Sequence, residues 1–156
     1  MQASKTARAV MPRSLPQIEH RLDEIADTAP AQGQTECAAL AQELLTLGEQ
    51  VLEHWVAARG ETPTLETKEG FRLLALHRQG AHGEPSFNAC RETCRELVYH
   101  YNLVTQAPDH ADAAKRVRMA ALVARHLALF VAGKMEVAGL GEFCCSSKPI
   151  RTPASA

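Results

Sequence analysis

The chain has 156 residues, which corresponds to one domain able to bury about 70% of the surface of its unfolded chain. Its formal charge of −1, from 17 Lys and Arg against 18 Asp and Glu, excludes the broad basic field of a nucleic-acid-binding protein and the high net charge of a disordered chain. Hydrophobic residues at 46%, with only 4% aromatic residues, indicate a helical domain whose core is filled by Leu, Val and Ala.

We expect neither a membrane-spanning segment nor an export signal in this sequence. No run of about 18 apolar residues occurs, so we expect no transmembrane helix and no membrane partner. Residues 1–14 carry Lys5, Arg8 and Arg13 but lack the apolar stretch of a secretory signal, so they are predicted to form a flexible tail. The five cysteines are not spaced as a disulfide framework, and we expect them to be reduced thiols in the cytoplasm.

The first two predicted helices have clear start and stop signals. Ser14 can cap the first helix, whose apolar residues recur every three or four positions until Pro30 ends it. The second helix is predicted from Thr35 to Arg59, because apolar residues recur at helical spacing along its whole length. Gly60 is a natural stop for this second helix.

The next two predicted helices enclose a short loop. The third is predicted over residues 65–79, and the glycine-rich residues 80–84 then form a turn. The fourth is predicted from Pro85 to Val104, although its last residues are of types that also favour strands. Pro108 prevents the fourth helix from continuing.

The fifth predicted helix, from Asp109 to Val137, carries apolar residues on two sides. Its first stripe includes small residues that allow close helix packing: Val117, Ala121, Ala124, Ala128, Val131 and Met135. Its second stripe lies on roughly the opposite side: Met119, Leu122, Val123, His126, Leu129 and Phe130. Since a helix that is apolar nearly all round is buried, this helix is either central or half in a subunit interface. Of the two, we predict a homodimer through the second stripe.

These elements predict an all-α fold. The helix lengths and short loops are typical of an antiparallel helical bundle of four long helices plus a shorter N-terminal helix. The predicted organisation is a flexible N-terminal tail at residues 1–14 and a helical bundle domain at 15–143. Residues 144–156 are predicted to form a flexible C-terminal tail that begins with two cysteines.

Four of the five cysteines fall into two groups. Cys90 and Cys94 stand four residues apart on the fourth predicted helix, where two thiols on one face can bind a soft metal ion or respond to oxidation. Because Phe87 shares that face, the alternative is that both are core residues. Cys144 and Cys145 are adjacent and can bind a soft ion or exchange with a disulfide, or are simply small residues where the chain leaves the bundle.

The two cysteine groups together predict a metal centre. If the C-terminal tail folds back on the fourth helix, four sulfur ligands result, which suit zinc, iron or an iron–sulfur cluster. Histidines near the cysteines in sequence are candidates for additional ligands. The C-x2-C pairs of common zinc modules are absent from the sequence. The full set of predicted ligands is Cys90, Cys94, Cys144, Cys145, His77, His82 and His100.

Three functions remain open at the level of sequence. The first is a small cytoplasmic protein with clustered thiols that binds a soft metal ion or senses redox state. The second is a metal-free helical adaptor or dimerisation protein with a protein partner. The third is a thiol-dependent enzyme, which ranks last because the sequence lacks G-x-x-x-x-G-K, G-x-G-x-x-G, G-x-S-x-G and H-E-x-x-H motifs.

Overall fold

The computed structural model describes residues 12–28 and 34–140, which form five α-helices and one 3₁₀ helix. The α-helices are α1 (Leu15–Thr28), α2 (Gln34–Ala58), α3 (Arg72–Ala81), α4 (Arg91–Gln106) and α5 (Ala113–Ala138), and the 3₁₀ helix is Pro85–Cys90. Within the described residues the β-type pairing is a single isolated bridge between Lys68 and Phe71. The predicted all-α fold class is therefore confirmed. No described helix is both long and apolar enough to cross a lipid bilayer.

The first helix begins where its capping residue predicted. The backbone N–H of Gln17 donates to Ser14 Oγ at 3.2 Å, and the N–H of Ser14 donates to Gln17 Oε1 at 2.9 Å. These two reciprocal bonds satisfy backbone donors that a helix start leaves open. α1 buries Ile18, Leu22 and Ile25, and it packs mainly against α5.

The last helix is central among the described helices, because α5 packs against α1, α2 and α4. The stripe that runs from Val117 to Met135 is buried there. The second stripe is partly exposed, with Met119 at 42%, Leu122 at 51% and Leu129 at 49%. One side of α5 therefore builds the core, and the other side has apolar residues in contact with solvent.

The predicted third helix starts seven residues too early. Residues 65–71 are not helical, and α3 begins only at Arg72. The backbone turns at Glu69 and Gly70, which have φ of 55° and 85° and so cannot continue a right-handed helix. Leu65, the first residue of the predicted helix, is 85% exposed and not part of the core. With α3 only ten residues long, the predicted count of four long helices is not confirmed.

The boundaries of the last two helices also differ from the sequence prediction. The segment from Pro85 to Cys90 is a 3₁₀ helix, and regular α-helical geometry starts at Arg91. α5 starts at Ala113, after a turn in which the N–H of Ala113 donates to the His110 carbonyl at 2.9 Å. Residues 1–11, 29–33 and 141–156, with most of the predicted tails, lie outside the described residues.

Candidate thiol site

A stack of aromatic rings covers the middle of the bundle. Trp55 of α2 and Phe87 of the 3₁₀ helix are nearly parallel, with ring centroids 4.8 Å apart. The indole Nε1 donates to the carbonyl oxygen of Gly80 at 2.9 Å, which fixes the ring against α3. Phe87 also contacts Phe130 of α5, with centroids 5.8 Å apart. The stack therefore holds the 3₁₀ helix against three α-helices.

Cys90 and Cys94 lie directly after this stack in the chain and touch each other. Cys90 is the N-cap of α4, and Cys94 is one helical turn further on. The Cys94 thiol is hydrogen-bonded to the Cys90 sulfur. The two residues are 1% and 0% exposed, so the pair is enclosed in the core. Residues four apart on a helix share a face, which explains the contact.

A histidine from a different helix completes the surroundings of Cys90. His77 of α3 is buried, and its ring stacks on Phe87 with centroids 5.5 Å apart. Its Nε2 lies 3.1 Å from the carbonyl oxygen of Phe87, and the ring is also hydrogen-bonded to Cys90. As a thiol, Cys90 donates to the same Phe87 oxygen at 3.3 Å. The imidazole, the two sulfurs and one carbonyl therefore form a continuous polar group inside an apolar core.

The two thiols differ in acidity because they touch. The hydrogen bond from Cys94 lowers the pKa of Cys90 to about 6, with burial opposing this effect and His77 supporting it. The bond to Cys90 and burial raise the pKa of Cys94 well above its ordinary value. The helix N-terminus also favours an anion at Cys90. Cys90 is therefore the more acidic thiol of the pair, and Cys94 is the less acidic one.

Three polar side chains hold the start of the 3₁₀ helix that leads to Cys90. Lys134 of α5 donates to Glu84 Oε2 at 3.0 Å and to Ser86 Oγ at 2.5 Å. Ser86 in turn donates to Glu84 at 2.5 Å. This polar cluster of Glu84, Ser86 and Lys134 fixes the start of the 3₁₀ helix to α5. Since Cys90 is 1% exposed, an oxidant reaches it only after a local opening of the structure.

The structure brings together three of the seven predicted ligands: His77, Cys90 and Cys94. His82 is exposed, on the turn after α3. His100 is buried; its Nε2 lies 3.7 Å from Glu96, and its Nδ1 has no hydrogen-bond partner among the described residues.

The C-terminal half of the predicted metal centre, Cys144 and Cys145, lies outside the described residues. Within residues 12–28 and 34–140, no three His, Cys, Asp or Glu side chains are placed to hold one metal ion. A four-sulfur centre of zinc or iron therefore stays a prediction.

Several residues of the site are not evident from the sequence pattern. Trp55 follows the helical spacing of any core residue, and only its indole N–H indicates a polar partner. Lys134 is one of several cations on α5, and its contact with Glu84 joins residues fifty positions apart. The sequence signal that existed was the Pro85 start of a new helical segment beside Cys90.

Comparison with models of protein families, with curated proteins and with solved structures finds no match to this chain. A function is therefore inferred from the chemistry of the residues that the fold brings together. Among the described residues, the group best suited to a chemical reaction is the asymmetric thiol pair beside His77.

Proposed function

We propose that the protein is a thiol redox sensor in which Cys90 reacts with a hydroperoxide and Cys94 resolves the product into a disulfide. The contact between the two thiols at the start of α4 carries this proposal. A thiolate is the nucleophilic form of cysteine, and a redox-sensing cysteine often has a resolving thiol beside it. His77 and the helix N-terminus support the charge on Cys90.

The reaction takes two electrons from the thiol pair. The Cys90 thiolate attacks one oxygen of the hydroperoxide, the O–O bond breaks, and an alkoxide or hydroxide leaves with the electron pair. Cys90 is then a sulfenic acid. The Cys94 sulfur attacks the Cys90 sulfur, the S–S bond forms, and the sulfenic oxygen leaves as water with the Cys94 proton. A thiol reductant reverses the change.

The helical spacing makes such a disulfide strained and therefore reversible. Residues four apart on an α-helix have Cβ atoms about 5–6 Å apart, whereas a disulfide needs roughly 3.5–4.5 Å. Closing the bond must tighten the junction between the 3₁₀ helix and α4. Since Phe87 stacks on Trp55, that movement changes the packing of the buried ring stack. A strained disulfide is easily reduced, as a regulatory bond requires.

Peptide mapping tests this proposal on the full chain. Trypsin cleaves after Arg78, Arg91 and Arg95, so Cys90 and Cys94 fall on separate peptides, 79–91 and 92–95. Reduced protein is treated with hydrogen peroxide, quenched and digested without reductant. We expect the cross-linked pair of peptides to appear about tenfold faster than oxidation of Cys37, which is buried and has no thiol partner among the described residues.

Variants assign the two roles. Cys94→Ala should leave Cys90 as a sulfenic acid that a cyclic diketone traps, whereas the matched Cys37→Ala variant should form the cross-link as the wild type does. Trp55, the one tryptophan of the chain, should change its emission on oxidation and recover with dithiothreitol. Oxidation of Cys90 no faster than that of Cys37, or a bond from Cys90 to Cys144 or Cys145, would overturn the proposal.

The proposed sensor has a matching compartment. A reversible thiol switch needs a reducing surrounding, so we place the protein in the cytoplasm and give it a regulatory role. The oxidised pair has no free thiolate and cannot hold a soft metal ion. Metal analysis of the purified, reduced protein therefore separates this proposal from a metal site: one equivalent of zinc or iron, lost with Cys90→Ala, would favour the metal site.

A further inference from the structure

One face of α5 repeats every seven residues and is open to solvent. Lys115, Leu122, Leu129 and Glu136 follow each other at this spacing, so they lie in one row along the helix. Leu122 and Leu129 are 51% and 49% exposed, and Met119 beside them is 42% exposed. The row therefore consists of two leucines in the middle, a cation at the N-terminal end and an anion at the C-terminal end.

A glycine on the same face of α5 is not required by any close contact within the described part of its own chain. Gly133 is exposed inside α5, and a Cβ atom built there would meet nothing within 4 Å. Glycine inside a helix destabilises it relative to alanine, so a helix gains nothing from Gly133 unless something packs closely against it. Two members of the row flank Gly133: Leu129 four residues before it and Glu136 three residues after it.

We propose that a second copy of this chain packs antiparallel against this face of α5, with the two-fold axis between Leu122 and Leu129. In this register Leu122 lies over Leu129 of the second copy, and Leu129 lies over Leu122 of the second copy. Each exposed leucine is therefore covered. Gly133 lies opposite Arg118 of the second copy, whose long side chain can then cross the helix without a clash. A closed two-fold pair is the commonest assembly of identical chains.

The charges at the two ends of the row fit an antiparallel pair. Lys115 of one copy lies opposite Glu136 of the second copy. Arg118, three residues after Lys115 on the same face of α5, is a second cation near that glutamate. Neither the Lys115 ammonium nor the Glu136 carboxylate has a hydrogen bond or ion pair within the described part of its own chain. A parallel pair would place Lys115 against Lys115 instead, so the charges select the antiparallel register.

The neighbouring charge on α5 is already used inside the chain. Arg125 makes an ion pair with Asp23 of α1, with 2.9 Å between Nε and Oδ1. It therefore lies to the side of the leucine row and does not block it. Since each copy contributes a single helix, the contact area is at the low end for stable dimers, and a dissociation constant in the micromolar range is expected.

Sedimentation equilibrium over protein concentrations from about 5 to about 500 µM tests the proposal. The wild-type chain should shift from monomer to dimer in this range. Leu122→Asp with Leu129→Asp should give a monomer that keeps the wild-type helix content by circular dichroism. Leu65→Asp, which changes an 85% exposed leucine elsewhere, is the matched control and should dimerise as the wild type does.

Charge exchange tests the register itself. Lys115→Glu should raise the dissociation constant about tenfold, because both ends of the dimer then carry like charges. Adding Glu136→Lys should restore the wild-type value. In a parallel pair, Lys115→Glu would replace one like-charge pair by another and leave the dissociation constant unchanged. A wild-type monomer at every concentration would overturn the proposal. So would a Leu122→Asp/Leu129→Asp variant that unfolds while Lys115→Glu leaves association unchanged.

Discussion

Gly80 shows how one missing side chain shapes the site. A Cβ atom at this position would lie 2.8 Å from Cδ1 of Trp55 and 3.0 Å from Cε2 of Phe87. Both are atoms of rigid rings packed on each other, so neither can move aside as a flexible chain end would. The close approach also brings the Gly80 carbonyl to the indole N–H and to Arg59, each at 2.9 Å. Glycine is therefore required here by space rather than by backbone conformation.

Gly80→Ala should destabilise the fold by about 1–3 kcal/mol, because the added methyl group must push apart the ring stack. Urea unfolding measures the change in the free energy of unfolding. Gly133→Ala is the matched control, since it adds the same methyl group to a helix where nothing is near, and it should stabilise the chain by roughly 0.5–1 kcal/mol at low protein concentration. Equal effects of the two changes would show that the stack tolerates a Cβ atom.

The thiol pair could be anticipated from sequence, but its surroundings could not. Two residues four apart on a helix share a face whatever the fold, so Cys90 and Cys94 are neighbours by local geometry. His77 belongs to another helix, and its contact with Cys90 depends on how α3 and α4 pack. His82 and His100 are nearer to the cysteines in sequence than His77 is, yet the structure places them elsewhere.

At the scale of one element, the 3₁₀ helix joins α3 to α4 and carries Cys90 at its end. It follows Gly83, whose φ of 75° lets the chain turn sharply after α3. Its start is attached to α5 by Lys134, and its interior by the stacking of Phe87 on Trp55. Phe87 is buried in the ring stack, so local opening of this segment starts at its polar attachment to α5.

Lys134→Ala should increase the rate at which iodoacetamide modifies Cys90 by about five- to tenfold, because the 3₁₀ helix that ends at Cys90 loses its charged hydrogen bonds to α5. Mass spectrometry of tryptic peptide 79–91 gives this rate for the native protein. Arg125→Ala is the control. It removes an ion pair between α5 and α1, and this ion pair does not involve the 3₁₀ helix. Faster modification in both variants would point to general loosening of the bundle.

The long helices were predictable because their signals are local. α2 and α5 carry apolar residues at helical spacing throughout, and Gly139, with φ of 73°, ends α5. The start of α3 was not predictable, because residues 61–71 are held by side chains from further along the chain. Gln79 bonds to the backbone of Thr62 and Thr64, and Arg72 donates to the Thr64 carbonyl at 2.8 Å.

At the scale of the whole molecule, buried and half-buried charges couple stability to pH. Arg21 of α1 forms two parallel hydrogen bonds with Glu43 of α2, at 2.6 and 2.8 Å. The bonds from Arg21 lower the pKa of Glu43, although partial burial opposes them. Burial raises the pKa of Glu49, which Arg72 offsets only in part. The two glutamates of α2 therefore have opposite effects on stability as the pH changes.

Glu43→Gln should cost stability at about pH 6 and little at about pH 3, because a carboxylate with a lowered pKa stabilises the fold only above that pKa. Glu49→Gln should show the reverse slope, improving relative to the wild type as the pH rises, since a raised pKa means that ionisation disfavours the folded state. Urea unfolding at several pH values gives both slopes. Parallel slopes for the two variants would contradict these assignments.

The packing of α1 on α5 has a consequence for the order in which the chain can assemble. Ile18, Leu22 and Ile25 find their main cover on a helix that begins almost ninety residues later in the sequence. Bringing such distant segments together costs loop-closure entropy, so this contact must form late in folding. During synthesis the first helix leaves the ribosome long before its partner does. Until α5 is complete, the apolar side of α1 is therefore the part of the nascent chain that a chaperone would bind.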